Sequence, residues 1–235
     1  MLSFLHTYSQ LLTDADLQQA CREGSVIEQD PRGPKVIQLP NGDFLKIFRA
    51  RRLLSGARLY SHARRFYRNA QRLQQLQIPT VTMKSLYHLP QAGHTAVIYQ
   101  PLPGKTLRQL IVQDLPRLYP LASELGNFLA TLHDKGIHFH SLHSGNVLLM
   151  PNDEFGLIDV SDMTIYPWSL MCTTRIRSFA RLGKYQADMS ALDASFWCAV
   201  MQGYQQTSAK AQRCGPRILT TIDYLHGAIR LNTHD

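Results

Sequence analysis

The stretch "HFHSLHSGNVLL", His138–Leu149, sets three histidines, two serines and an asparagine within nine positions and then turns apolar. A polar, irregular segment running into a strand is how a scaffold commonly presents a functional loop. Downstream, "NVLLMPNDEFGLID" has two apolar runs around a Pro-Asn-Asp turn, which predicts a hairpin with Asn146 at its start and Asp159 at its end. Upstream, Leu121, Leu125, Phe128, Leu129 and Leu132 form the stripe of a helix that stops at Gly136. The loop is therefore expected to leave a helix and enter a hairpin.

The N-terminal part has a different character. Thr13 or Asp14 caps a short helix, and "KVIQL", "PNGD" and "FLKIF" read as strand, turn and strand. Strand alternation puts Lys46 on one face with Phe44 and Phe48. From Leu59 to Leu76 the apolar residues recur at helical spacing, with Arg64, Arg68 and Arg72 in a row along one flank. "IPTVTMKSLYHL" and "HTAVIYQ" follow as strands, and "PLPGKTL" marks a linker. The expected domains are a β-rich lobe with one amphipathic helix over 1–103 and a helical lobe over 104–235, an α+β fold. "TTRIRSFARLGKY" and "ALDASFWCAVMQGY" supply further helices of the second lobe.

In order and in residue type, this layout over about residues 25–200 resembles the protein-kinase-like fold, and more narrowly the bacterial lipopolysaccharide-core kinases and the related toluene tolerance proteins. "FLKIF" resembles the strand whose lysine holds nucleotide phosphates, and "VIYQPLPGKTL", with Gln100, resembles the hinge. "FHSLHSGN" is similar to the H-R-D-x-x-x-x-N catalytic loop, with Phe139, His140 and Ser141 at its first three places and Asn146 at its last. "LIDVSD" is similar to the metal-binding segment, led by Asp159.

The resemblance implies ATP and Mg²⁺ as cofactors, Lys46, Arg32 and Gln100 on the nucleotide, and Asn146 and Asp159 on the metal. Phosphoryl transfer spreads negative charge over the γ-phosphate oxygens, so a lysine and a divalent cation with oxygen ligands suit that chemistry. Ser141, His143 and Asp159 are the candidate catalytic residues.

Four features depart from the pattern. Ser141 stands where an aspartate would accept the substrate proton, and His143 is the nearest substitute. The 59–76 helix has no glutamate to pair with Lys46; Asn69 or Arg65 occupies that position, which leaves Asp159 to orient the lysine. The expected phosphate loop, "EQDPRGPKV", has one glycine and two prolines, so backbone donors are few and Arg32 is the substitute contact. Phe44, two residues before Lys46, either stacks on a base or fills its pocket.

Charge placement bears on partners. From Phe44 to Gln113 there are twelve Lys or Arg and no Asp or Glu, within a chain of net charge +8. Such asymmetry suits an anionic glycolipid or an inner-membrane surface; nucleic acid is disfavoured because periodicity turns Phe66 inward. With no signal-peptide pattern and no apolar run of about 18 residues, a cytoplasmic address, peripheral to the inner membrane, is expected. The four cysteines lack metal spacing and are expected as reduced thiols. A zinc site on His133, His138, His140 and His143 lacks a completing cysteine or carboxylate, and Ser141 with His143 lacks a hydrolase elbow. Three functions stay open: an atypical phosphotransferase acting on lipopolysaccharide core sugar, a pseudokinase that binds nucleotide or a protein partner, and a basic nucleic-acid-binding module.

Overall fold

Residues 10–49, 62–91, 93–183 and 185–232 are described by a computed structural model of α+β architecture. They fall into two units divided between Leu102 and Pro103, with Asp159–Ser161 belonging to the first. The first turn of the helix expected from Leu59, with Arg51, Arg52 and Arg58, lies outside the described residues.

The first unit is a six-stranded sheet in the order β1-β5-β6-β4-β3-β2. Its strands are β1 Gln10–Leu11, β2 Ser25–Asp30, β3 Gly33–Gln38, β4 Phe44–Phe48, β5 Thr82–His88 and β6 Thr95–Gln100. The expected β3–β4 hairpin closes at Gly42, whose φ of +83° suits a residue without Cβ and whose N–H donates to Leu39 O at 2.9 Å. Leu45, Ile47, Ile37 and Ala96 bury one face together with Leu12 and Leu89, and Leu17, Ala20 and Cys21 pack against them from helix α1, Asp14–Glu23. That helix begins with the reciprocal Thr13–Asp16 capping box. On the opposite face Lys46 stands between Val36 and Val97 in register. Helix α2, His62–Gln75, buries Ala63, Phe66, Ala70 and Leu73, and Phe66 meets Phe48 and Tyr99 at ring distances of 5.9 and 5.3 Å.

The second unit is largely helical. It runs through β7 Lys105–Thr106, α3 Leu107–Gln113, α4 Leu115–Leu118, α5 Ala122–Asp134, β8 Ile137–Phe139, β9 Val147–Leu149, β10 Phe155–Leu157 and β11 Met163–Ile165. Then come α6 Cys172–Leu182, α7 Gln186–Ser190, α8 Ala194–Thr207 and α9 Ala209–Asn232. The β9–β10 hairpin forms where the Pro-Asn-Asp turn predicts it, and β8 pairs antiparallel with β11.

Helices α5 and α8 meet backbone to backbone. A Cβ on Gly126 would collide with Val200 O and come 2.7 Å from Tyr204 N, and one on Gly203 would collide with Ser123 O. Beside this seam lies Arg175, fully buried in α6. It donates to Leu170 O at 3.0 Å, Tyr204 Oη at 3.1 Å and Ser169 Oγ at 2.8 Å, and it pairs with Asp134. Tyr204 Oη in turn lies 2.9 Å from Nδ1 of buried His133. These bonds satisfy a buried cation and fix the end of α5, from which β8 and the His138–Asn146 loop depart.

The expectation of four reduced thiols is corrected at one pair: Cys172, at the start of α6, forms a disulfide with Cys214 of α9, their Cα atoms 5.3 Å apart. Spacing along the chain carried no sign of it, because the two residues are 42 positions apart and meet only through helix packing. Cys21 and Cys198 are free.

Two predictions follow the packing of the second unit. Gly126→Ala gains about 1 kcal/mol of helix propensity but forces two backbones apart, so a net loss of about 1–3 kcal/mol is expected, read as a lowered Tm. Burial, then the charge of Arg175, holds His133 down to about 3 against its ordinary 6.5. Between those values the unfolded chain binds a proton that the folded chain refuses, so stability falls as pH drops below 6.5. Denaturant midpoints measured from pH 7 to 4.5 should show this slope, reduced by about one proton's share in His133→Gln.

Candidate functional site

Lys46 lies mid-strand in β4 with its side chain only 8% exposed. An ammonium so buried needs compensation. It gets it from three sides: Nζ donates to Asp159 Oδ1 at 2.6 Å and stands 5.5 and 5.4 Å from the ring centroids of Phe48 and Phe66. Asp159, 113 positions further along, is 43% exposed on its side chain, so its carboxylate faces both the buried amine and solvent. Its φ of +51° is a left-handed conformation uncommon for a residue with a Cβ. The backbone there is held by Asn69 of α2, whose Nδ2 donates to Val160 O at 2.8 Å.

Of the two helix residues expected near Lys46, Asn69 thus anchors the segment after Asp159, and Arg65 reaches His62 at 3.0 Å. The side chain that α2 turns toward the ammonium is Phe66, a ring face in place of a carboxylate. Phe44 packs edge-on against Tyr99 at 5.8 Å, extending the aromatic row Phe48, Phe66, Tyr99 along this face. Burial and the charge of Asp159 push the Tyr99 hydroxyl upward, so it remains a neutral phenol.

The expected phosphate loop is a tight turn between β2 and β3. Arg32 N–H donates to Asp30 Oδ1 at 2.7 Å, and Pro31 and Pro34 have no N–H to offer. The Arg32 guanidinium, half exposed, lies 3.6 Å from Asp30, and Arg49 donates to Pro34 O at 2.6 Å. Gln100, exposed at the end of β6, pairs in register with Thr82.

The loop residues belong to the second unit. Asn146, mostly buried, donates Nδ2 to Ser141 O at 2.9 Å, which leaves its amide oxygen as the end able to face a cation. His143 accepts the Gly145 N–H on Nδ1 at 3.1 Å and packs edge-on against Tyr185. An Nδ1 lone pair engaged in this way puts the proton of the neutral ring on Nε2, so His143 presents a donor rather than a base. Ser144 bonds Asp188, which also takes Arg108 at 2.9 and 3.0 Å, and Arg108 N–H donates to Ser144 O. The loop is tied down at its middle.

A residue that sequence reasoning passed over stands beside Ser141. Ser141 Oγ donates to Asp162 Oδ2 at 3.3 Å, and His140 N–H donates to Asp162 O at 2.9 Å, one step beyond the Phe139–Met163 pair of β8 and β11. The sequence signal was the second acid of "LIDVSD", but only the strand pairing brings it to Ser141. Beneath, the His138 and His140 rings are 4.2 Å apart; burial first, then the charge of His140, holds His138 down to about 4. Among the described residues no group of three or more His, Cys, Asp or Glu is arranged to hold a metal ion, and no helix is long and apolar enough to cross a membrane.

Searched against protein-family models and against curated proteins, the sequence matches none.

The ion pair is asymmetric, which gives a test. Lys46→Met puts an apolar chain of similar length among Phe48 and Phe66 and leaves Asp159 to solvent, and it should cost under about 1 kcal/mol. Asp159→Asn leaves the buried ammonium without its carboxylate and should cost about 2–4 kcal/mol. Chemical denaturation of both variants reads the difference; equal costs would contradict the asymmetry of the pair.

Proposed function

We propose that the chain is an atypical phosphotransferase of kinase-like, two-lobed design, using ATP and Mg²⁺ and acting on lipopolysaccharide core sugar or a related phosphorylated glycolipid. The observation that carries this reading is the 2.6 Å contact of Lys46 with Asp159. A buried amine held against a half-exposed carboxylate provides a phosphate contact and a metal ligand side by side. Lys46 takes the phosphates, with Arg32 and Gln100 as further nucleotide contacts. Each of the Asp159 carboxylate and the Asn146 amide supplies an oxygen donor of the kind Mg²⁺ prefers, an ion that keeps waters and phosphates as its other ligands. Bound there, Mg²⁺ neutralises phosphate charge.

An anionic acceptor is supported by α2, where Arg64, Arg68 and Arg72 form a basic row and Arg68 and Arg72 are exposed. The same row suits a cytoplasmic chain peripheral to the inner membrane. The Cys172–Cys214 disulfide weighs the other way, since such bonds are usually kept reduced in the cytosol. A nucleic-acid role loses support because Phe66 is buried against Lys46 and is not available to stack on bases.

The second reading is a pseudokinase that binds nucleotide or a protein partner without turnover. It is favoured by Ser141 in place of an acid and by the Arg32 N–H already being taken by Asp30.

Thermal unfolding with ATP, with and without Mg²⁺, tests the nucleotide site. The parent should gain about 2–4 kcal/mol at saturating Mg-ATP, and Asp159→Ala should lose that metal-dependent gain. An identical gain in both proteins would remove Asp159 from the site, and no gain in the parent would remove the nucleotide.

A further inference from the structure

Between β11 and α6, one short segment of the second unit turns apolar side chains outward: Trp168 is 62% exposed and Met171 63%, with Pro167 exposed beside them. Large apolar side chains grouped on a surface mark a contact. We propose that this segment and the adjoining face of α9 form a docking surface for an anionic phospholipid bilayer, with Trp168 and Met171 entering the headgroup layer and Lys210, Arg213 and Arg217 lying against it. The proposal concerns the second unit alone and goes beyond the phosphotransfer reading, on which it does not rest.

The segment is fixed at its base. Tyr166 N–H donates to Gly136 O at 2.9 Å, Leu170 N–H donates to His133 O at 2.8 Å, and Ser169 Oγ receives buried Arg175 at 2.8 Å. The Trp168 ring packs on Tyr166, their centroids 5.7 Å apart. Trp168 and Met171 are therefore presented in advance, which lowers the ordering cost of binding.

The charge around them has one sign. No acid occurs from Met163 to Ala187 or from Ala194 to Ile222, and Asp134, at the base of the segment, is paired with Arg175. Lys210 Nζ donates to Ser169 O at 3.0 Å, next to Trp168. The Cys172–Cys214 disulfide brings together the chain neighbours of those cysteines, Met171 and Arg213. Lys210, Arg213 and Arg217 follow at helical spacing on one face of α9, and both arginines are exposed. Tryptophan favours the headgroup level, and cations beside it are drawn to anionic lipid, so the combination matches a bilayer. Two apolar side chains are too few for the core of a stable protein interface, which covers about 800 Å² per partner.

The probe is a vesicle of equal parts phosphatidylglycerol and phosphatidylcholine, followed by co-sedimentation and by tryptophan emission. The chain has two tryptophans and Trp197 is buried, so a blue shift on adding vesicles reads Trp168 in the unaltered protein. The parent should bind, shift to the blue and weaken as salt rises, and vesicles of phosphatidylcholine alone should bind at least about 10-fold less well. Trp168→Ser with Met171→Ser should lose about 10-fold or more in affinity. Arg213→Gln with Arg217→Gln should lose about 10–30-fold. Both double variants should keep the parent's Tm, because these side chains are exposed. No binding by the parent, binding without a blue shift, or equal binding to neutral vesicles overturns the proposal. So does binding that survives both pairs of substitutions and is lost in Arg68→Gln with Arg72→Gln, which moves the contact to α2. The Mg-ATP titration reads Lys46 and Asp159 of the first unit, so either proposal can fail while the other stands.

Discussion

A single ammonium group, Lys46 Nζ, sets the terms for the first unit. Its side chain is nearly sealed from water, and an ion so placed is tolerated only if its surroundings replace the hydration it has lost. β4 alternates, so the face that carries Lys46 also carries Phe44 and Phe48, while Leu45 and Ile47 fill the core on the other side. Helix α2 adds Phe66, and Asp159 adds the only opposite charge at the amine among the described contacts. Asp159 presents that carboxylate from a left-handed backbone, and Asn69 donates to the carbonyl of the following residue, Val160. Strand, helix and distant segment each contribute a group to one buried charge.

The second unit solves a similar problem with hydrogen bonds. Arg175 is wholly buried and is satisfied by Leu170 O, Ser169, Tyr204 and Asp134, so its guanidinium acts as a bracket joining α5, α6 and α8. Burial raises the Tyr204 hydroxyl to about 12, so it stays protonated and can bridge Arg175 and His133. The glycine seam of α5 and α8 allows those groups to meet at short range. The loop from His138 to Asn146 starts from this frame and is pinned again through Ser144 and Asp188. Its polar side chains are therefore held by two anchors rather than by the loop's own preferences.

Local chemistry was legible in the sequence where a residue's neighbours along the chain decide its state. The Pro-Asn-Gly-Asp turn, the Thr13 cap, the apolar stripe of α2 and the β9–β10 hairpin each follow from spacing and turn residues within a few positions. Sequence also showed that no acid lies between Phe44 and Gln113, so the partner of Lys46 had to come from elsewhere in the chain, and it was the resemblance to the kinase-like pattern that pointed to Asp159. What spacing could not show is any meeting made by packing. Phe66 facing the amine depends on the rotation of α2, Asp162 beside Ser141 depends on a strand register, and Cys172 against Cys214 depends on two helices crossing. Each pair is remote or differently oriented in sequence, so no periodicity records it.

Because α2 turns an aromatic ring toward the ammonium and no carboxylate, Asp159 is the acid that answers Lys46 among the described contacts. Oδ1 already serves Lys46, so under the proposed reading a divalent cation on the same group would share a carboxylate whose charge is partly committed. The ring faces of Phe48 and Phe66 stabilise the ammonium without any charge of their own, which would lessen that conflict. Under the same reading, nucleotide phosphates would replace Asp159 as the anion at Lys46. If the proposed phosphotransfer reading holds, these rings are what would let one aspartate serve both the amine and a metal.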